Sequence, residues 1–292
     1  MGFLKLGVAC VVLDDEKRLL LSKRTDFDVW NLPTGRLDKG EWLSEAASRE
    51  TREETGVEVD IVRPVGLYFQ VGRNRMNVLF EGRLSGGTLQ ANTDESQENA
   101  FFSLKDLPSN LFGGYMARDA VAGGVHLHVL EIPPDKLKEI NRKLAVRWVK
   151  NLFSGRPEPR WARFGVQASL AVVNSQTGEI LSERYHNGER VLAGLNVNGN
   201  TPIWEQVRQH TRDKSSLYEL REASLRWVGL YHHKGRGSFE FIFATEITPH
   251  SDLKVQGFEW TPADATTWWE GYAPFVRHIT QRKQDVKLIN EG

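Results

Sequence analysis

The chain has 292 residues, of which 40% are apolar and 26% charged, and its 38 basic side chains balance 38 acidic ones. That length suits two soluble domains with cores of their own, and zero net charge gives no global signal for DNA or a membrane surface as partner. The single cysteine, Cys10, excludes an internal disulfide framework and is compatible with a reducing compartment.

The apolar run from Gly7 to Leu13 meets Asp14 and Asp15 too soon to be a secretory signal or a membrane span. Leu6 stands where a myristoylation signal wants Ser or Thr, so the expected location is cytoplasmic. Residues 3–13 and 18–24 read as strands joined at the turn DDEK, with Cys10 a buried thiol and no histidine nearby to activate it. The loop NLPTGRLDKGE leads into a helix from Trp42 to Thr55, which Gly56 closes as a C′ glycine. Strands follow at 57–69 and 76–84, then a polar loop with AFFSLKDLP, then a short helix from Tyr115 to Ala122 ending at Gly123 and Gly124. From 134 onward, Leu137, Ile140, Leu144, Trp148 and Leu152 recur at helical spacing, and RPEPRWAR reads as an extended linker. Residues 134–165 carry nine Lys or Arg against three Asp or Glu, which is read as a solvated basic face rather than a guide for a polyanion.

The chain repeats itself. VGLYFQVGRNRMNVLFEGRL (65–84) and VGLYHHKGRGSFEFIFATEI (228–247) share Val-Gly-Leu-Tyr, Gly-Arg and a Phe in register. VVLDDEKRLLLSKR (11–24) and AVVNSQTGEILSER (171–184) share a strand, a polar turn and a second strand ending in Ser-x-Arg. The expected organisation is a tandem duplication: a first domain at 1–133, a basic helical linker at 134–164 and a second domain at 165–292.

On a wheel of about 100° per residue, Glu50, Glu53 and Glu54 fall on the arc of Leu43, Ala46 and Ala47, while Glu45, Ser48 and Arg52 fall opposite. Inward carboxylates repel one another and lose hydration, so they need a neutralising partner. No lysine lies on the arc, and all-oxygen ligation without Cys or His suits Mg²⁺ or Mn²⁺. The chemistry expected of such a site is attack of water on a phosphoanhydride.

The stretch GRLDKGEWLSEAASRETREETGV resembles the Nudix box, G-x5-E-x7-R-E-U-x-E-E-x-G-U, through Gly35, Glu41, Arg49, Glu50, Glu53, Glu54, Gly56 and Val57. Thr51 replaces the usual aliphatic residue, and WNLPTG resembles the family's W-x-L-P-G-G lead-in with Thr34 in place of a glycine. The resemblance implies an α/β/α sandwich with a mixed sheet, and hydrolysis of a nucleoside diphosphate linked to another moiety. It implies Glu53 and Glu54 as metal ligands, Glu50 as a further ligand or the base, Arg49 as an orienting residue and Glu41 as structural. The backbone at Thr34 and Gly35 is expected to approach the metal, and a later loop to supply Glu95, with Glu98 as second choice. Arg73 and Arg75 are candidates to contact phosphate, and Tyr68, Phe69 and Phe80 to stack on a base, with core packing the competing role for these aromatics.

Shifting the helix by 160 residues sets SRETREETG against RQHTRDKSS. Glu50, Glu53, Glu54 and Gly56 then face His210, Asp213, Lys214 and Ser216, and Gly35 and Glu41 face Leu195 and Thr201. A lysine where a ligand carboxylate belongs puts positive charge at the metal position, so the second copy is expected to keep the fold without the hydrolase site. Its expected roles are a packing scaffold, a pseudo-dimer partner that leaves the protein monomeric, or a ligand sensor using His232, His233 and Arg236. Trp227, Trp260, Trp268 and Trp269 are expected in its core or at a contact between domains. A nucleotide-binding regulator without turnover and an RNA-end pyrophosphohydrolase are the alternatives to the nucleotide hydrolase.

Overall fold

Nearly every residue of the run after Lys5 is apolar, as a strand covered on both faces requires. In the computed structural model, which describes residues 3–24, 28–153, 160–249 and 257–291, this run is β1 (Lys5–Leu13), buried from Leu6 to Val12. Its odd residues Ala9 and Val11 pack toward one face and its even residues Cys10 and Val12 toward the other.

β1 is joined by β2 (Arg18–Arg24), β3 (Trp30–Asn31), β4 (Thr34–Arg36), β5 (Val57–Gln70), β6 (Arg75–Gly87), β7 (Ser96–Ser103) and β8 (His126–Leu130). Among the described residues these make an eight-stranded mixed sheet of order β3-β2-β1-β6-β5-β8, with β4 paired to β1 and β7 to β2. The β1–β6 and β5–β8 pairs are parallel. Helix α1 (Leu43–Thr55) lies on the Cys10 face, where Thr51 reaches the thiol. Burial pushes that thiol up to about 12, which fits a packing group and not a nucleophile. Helix α2 (Gly114–Ala122) covers the other face, with Met116, Ala117 and Ala120 against Ala9, Val11 and Leu79.

The second half repeats this order of elements. β9 (Gly165–Asn174), β10 (Ile180–Arg184), β11 (Arg190–Val191) and β12 (Ala193–Asn196) precede α4 (Ile203–Ser215). β13 (Arg226–His233), β14 (Ser238–Ile247), β15 (Phe258–Thr261), α5 (Ala273–Thr280) and β16 (Lys287–Asn290) follow. The sheet runs β11-β10-β9-β14-β13-β16, with β12 on β9 and β15 on β10, which is the first sheet's topology position for position. Each half is thus an α/β sandwich with a mixed sheet between helices, as the repeat implies. Trp204 of α4 packs its ring 6.4 Å from Phe243, while Phe275, Val276 and Ile279 of α5 fill the opposite face.

The chain forms two compact units, Lys5–Arg163 and Phe164–Gly292. The first unit therefore includes α3 (Pro134–Phe153), the helix expected as a connector. Its apolar spacing does not produce a continuous buried stripe: Leu137, Ile140 and Leu144 are half-buried, but Trp148 is 56% exposed. The side chain of Leu152 and the linker residues 154–159 lie outside the described residues.

Trp227 and Trp268 are core residues whose ring N–H groups donate to Gly229 O at 2.7 Å and Pro262 O at 2.9 Å, while Trp260 and Trp269 are half-buried. His232, expected near a ligand cleft, is instead buried, stacked on Phe239 at 4.4 Å and bonded to Asn290 Oδ1 at 2.9 Å. The two box helices end differently: Gly56 closes α1 at φ 77° and Ser216 closes α4 at φ 59°. The left-handed cap costs a residue with a Cβ about 1 kcal/mol relative to glycine.

Candidate active site

α1 begins where Trp42 N–H donates to Glu45 Oε2 at 3.0 Å, and it ends where Gly56 N–H donates to Arg52 O at 2.8 Å. Its buried face carries Leu43, Ala46, Ala47, Glu50, Thr51, Glu54 and Thr55. Glu50 and Glu54 thus continue the inward stripe, whereas Glu53 corrects the wheel: its side chain is 41% exposed. It sits about 80° round from Leu43 on the wheel, at the margin where a helix meets solvent. Thr51 is fully buried and closes its hydroxyl onto Ala47 O at 2.7 Å, which removes the polar cost of the missing aliphatic side chain.

The loop before α1 is held by β4, whose Thr34, Gly35 and Arg36 pair antiparallel with Ala9, Val8 and Gly7 of β1. Thr34 N–H donates to Glu54 Oε2 at 3.1 Å and Arg36 N–H to Glu50 Oε1 at 3.1 Å. A Cβ on Gly35 would come 1.7 Å from Glu50 Cδ, so the glycine leaves the space that the carboxylate fills.

Arg49 is the hub of the acids. Its Nε and Nη2 bind Glu41 at 2.7 and 2.9 Å, and its Nη1 binds Glu50 at 2.9 Å and Glu53 at 3.0 Å. This fork holds three carboxylates with charge-assisted bonds, and their proximity raises the guanidinium's own proton affinity.

The loop before β7 brings in the fourth acid. Thr93 Oγ1, Ser96 Oγ and Asn99 Nδ2 donate to Glu54 O at 3.3, 2.8 and 2.8 Å, satisfying a carbonyl in the last turn of α1. Glu95 N–H in turn donates to Thr93 Oγ1 at 3.1 Å. Carboxylate oxygens of Glu50, Glu53 and Glu95 then all lie within 4.8 Å of one another. Glu98 stands apart, exposed and opposite Lys23 on the β7–β2 ladder.

Burial raises Glu50, against the pull of Arg49, and burial pushes Glu54 up to about 8, with Glu50 and Glu95 adding to the effect. The donor set is all oxygen, crowded and short of countercharge, which fits a hard divalent cation. Folded Glu54 holds its proton from its ordinary 4.5 up to about 8, so its contribution to stability is complete below 4.5 and is lost as pH rises through about 8. Metal-free protein is therefore expected to lose a few kcal/mol between about pH 5 and pH 8 beyond any loss in Glu54→Gln. Denaturant titrations with chelator present check this, and a rise in stability over that interval would show the sign to be wrong.

Beside the acids lies a cationic wall. Arg75 donates from Nε to Asn77 Oδ1 at 2.9 Å and from Nη2 to Thr34 Oγ1 at 3.4 Å. Burial, then repulsion from Arg73, Arg24 and Arg36, pushes Arg75 down to about 9. Lys5 is lowered for the same reasons, with Arg73 and Arg75 as its repelling neighbours. The ring of Trp161 covers this wall, 4.9 Å from the Arg75 guanidinium carbon and 6.0 Å from that of Arg36.

Trp161, Arg24, Arg36, Lys5, Ser96 and Asn99 were not anticipated as site residues. Strand ends and linker residues carry no spacing signal, and only the ST-type turn T-D-E-S marked the Glu95 loop. Tyr68 and Phe80, expected as stacking residues, are corrected: both are fully buried, as is Phe69. Tyr68 lies in the core facing α2 and donates to Asp119 Oδ2 at 2.7 Å, so no base can reach its ring.

In the second unit, Leu195 of β12 pairs with Ala168 as Gly35 pairs with Val8. Lys214 Nζ reaches Glu183 Oε1 at 3.4 Å and Asp213 pairs with Arg212 at 2.9 Å, so the corresponding helix carries separate ion pairs in place of converging carboxylates.

The NUDIX domain model matches residues 4–120 of the chain. A putative 8-oxo-dGTP diphosphatase of Bacillus subtilis (strain 168) is 36% identical over 102 residues, covering 35% of this chain and 68% of the relative. An ADP-ribose pyrophosphatase of Methanocaldococcus jannaschii is 31% identical over 108 residues, covering 35% of this chain and 63% of the relative. A solved NUDIX hydrolase from Nitrosomonas europaea shares 24% identity at a TM-score of 0.41, over 45% of this chain and 81% of its own. The family assignment rests on the sequence relatives. With the box residues on one helix and its loop, and 36% identity across 68% of a relative, the chain belongs to the Nudix hydrolase family.

Proposed function

We propose that the first unit hydrolyses the pyrophosphate bond of a nucleoside diphosphate linked to a further group, with Mg²⁺ (or Mn²⁺) as cofactor. The observation that carries this reading is the pairing of two oppositely strained half-sites. Glu50, Glu53 and Glu95 converge within 4.8 Å with Glu54 behind them, while Arg75 is held beside Arg73, Arg24 and Arg36. A cation relieves the first half-site and a polyphosphate the second, so the complex of the two is the complementary ligand.

Glu50, Glu53, Glu54 and Glu95 would hold the cation, and the backbone at Thr34 and Gly35 frames that position. When bound, the cation supplies Lewis-acid polarisation of a phosphoryl oxygen and neutralises charge as the anhydride opens. Glu50, fixed by Arg49 and by Arg36 N–H, accepts a proton from the attacking water. Arg49 is a positioning residue, keeping Glu50 and Glu53 turned to the same point. Arg75 and Arg73 hold phosphate oxygens, and Trp161 closes the wall above them. The relatives' names cite 8-oxo-dGTP and ADP-ribose, which share the diphosphate and differ beyond it. This is the pattern expected when the acids and the arginines, and not the base, define the chemistry.

The second unit is a non-hydrolysing copy, supported by Leu195, His210 and Lys214 at the positions of Gly35, Glu50 and Glu54. The protein is taken to be cytoplasmic and monomeric, and a solution mass near 33.2 kDa is the corresponding expectation.

The test is a panel of nucleoside triphosphates, nucleotide sugars, ADP-ribose, dinucleotides and capped RNA, assayed with Mg²⁺ beside Glu53→Gln. Wild type should cleave at least one diphosphate, and the variant should lose about 100-fold or more. Binding without cleavage across the panel would sink the proposal in favour of a nucleotide-binding regulator, and equal rates in the variant would show that hydrolysis does not use this helix. Cleavage confined to capped RNA would instead select the RNA-end alternative.

A further inference from the structure

On the sheet face that α2 covers, away from the carboxylate cluster, three further side chains converge. His126 and His128 stand two apart on β8, so their rings project to the same side of the strand, 6.0 Å apart and within 19° of parallel. Asp119 of α2 faces them, with Oδ2 2.9 Å from His128 Nε2 and Oδ1 3.8 Å from His126 Nδ1. One ligand atom from each residue lies within 4.8 Å of the other two.

The protons around this group are arranged for a cation. His126 Nε2 lies 2.8 Å from Gly123 O, and a carbonyl only accepts, so Nε2 carries a hydrogen and, in the neutral ring, the lone pair of Nδ1 is left facing Asp119. Two acceptors then oppose each other unless a positive charge lies between them. His128 Nε2 is buried and has no hydrogen-bond partner among the described residues, although Asp119 Oδ2 lies 2.9 Å away. Tyr68 O–H donates to Asp119 Oδ2 at 2.7 Å, which fixes the carboxylate from behind. The Tyr115 hydroxyl is buried without a partner among the described residues, and its ring lies 6.0 Å from that of His128.

We propose that Asp119, His126 and His128 form a second metal site, for a borderline divalent ion of the zinc class, that staples α2 to the edge strand β8. Two imidazoles and one carboxylate with an open fourth position suit zinc, whereas Mg²⁺ disfavours nitrogen ligands. Tetrahedral zinc with bonds of about 2.0–2.1 Å sets ligand atoms roughly 3.3 Å apart, and one ligand atom from each of the three residues lies within 4.8 Å of the other two, close enough for side-chain rotation to reach that spacing. A water held by Tyr115 completes the set. The carbonyl of Gly123 and the hydroxyl of Tyr68 are the outer partners that orient its ligands.

The test uses the chelator-stripped full chain in excess Mg²⁺, titrated with Zn²⁺ by calorimetry and with Co²⁺ for its ligand-field bands. Wild type should take one Zn²⁺ with micromolar or tighter affinity. His126→Ala and Asp119→Asn should weaken it by about 100-fold, and Glu53→Gln should leave it unchanged. The milder His128→Gln guards against misfolding: Zn²⁺ should raise the melting temperature of wild type and not of this variant. No Zn²⁺ binding by wild type, equal binding by the His126 and His128 variants, or loss confined to Glu53→Gln would overturn the proposal.

Discussion

Gly35→Ala is expected to keep the fold while lowering kcat by about 100-fold or more. Its new methyl carbon would lie 2.0 Å from each carboxylate oxygen of Glu50. Because that carboxylate is the end of a flexible chain, it can swing away, so stability should change by no more than about 1–2 kcal/mol. In swinging it leaves both Arg49 Nη1 and Arg36 N–H, and the acid is no longer aimed at the point it shares with Glu53 and Glu95. Steady-state kinetics at saturating Mg²⁺ with a parallel melting curve separate the two effects. A variant within threefold of wild-type kcat would mean that turnover does not depend on where Glu50 is held. The second unit carries this kind of change by nature, with Leu195 at the corresponding register position.

Arg49→Met should damage both stability and activity. The substitution keeps the aliphatic stem and removes the group bonded to Glu41, Glu50, Glu53 and Arg36 O. The glutamates then repel without the guanidinium in a site from which water is partly excluded, at a cost of about 2–4 kcal/mol, less than for a fully buried network because Glu53 is open to solvent. Urea unfolding with an unchanged m-value measures this. Mg²⁺ should restore more stability to the variant than it adds to wild type, since the cation replaces the lost charge. Arg49→Lys should fall between the two, as one ammonium cannot span the fork. Wild-type stability in Arg49→Met would show that the carboxylates are adequately solvated without the arginine.

Much of the fold was legible because its signals are local. Residues 6–13 are apolar on both faces, Gly56 marks a helix end and the 65–84 pattern returns at 228–247, so strands, helix and duplication follow from order along the chain. The strands at 30–31, 34–36, 96–103 and 126–130 are short or polar and hold their shape through pairing to β1, β2 and β5, which no local pattern announces. Trp148 shows the converse, an apolar residue at helical spacing that finds no cover.

The site divides along the same line. Glu50 and Glu54 were readable from the wheel, since a helix sets the direction of its own side chains. Glu53 at the margin, and the burial of Tyr68 and Phe80, depended on what packs beside them. Glu95 reaches the cluster only because Thr93, Ser96 and Asn99 seize a carbonyl at the end of α1. Arg75 acquires its character from burial and from Arg73, Arg24 and Arg36, the last two distant in sequence, and Trp161 lies 4.9 Å from its guanidinium carbon. By itself the sequence determined the family, the acid helix and the repeat, all of which depend on residue type at fixed spacing. Beyond Arg49, Arg73 and Arg75, the partners of those acids, their proton affinities and the remainder of the cationic wall were decided by tertiary structure, because electrostatics depends on distances through space and on excluded water.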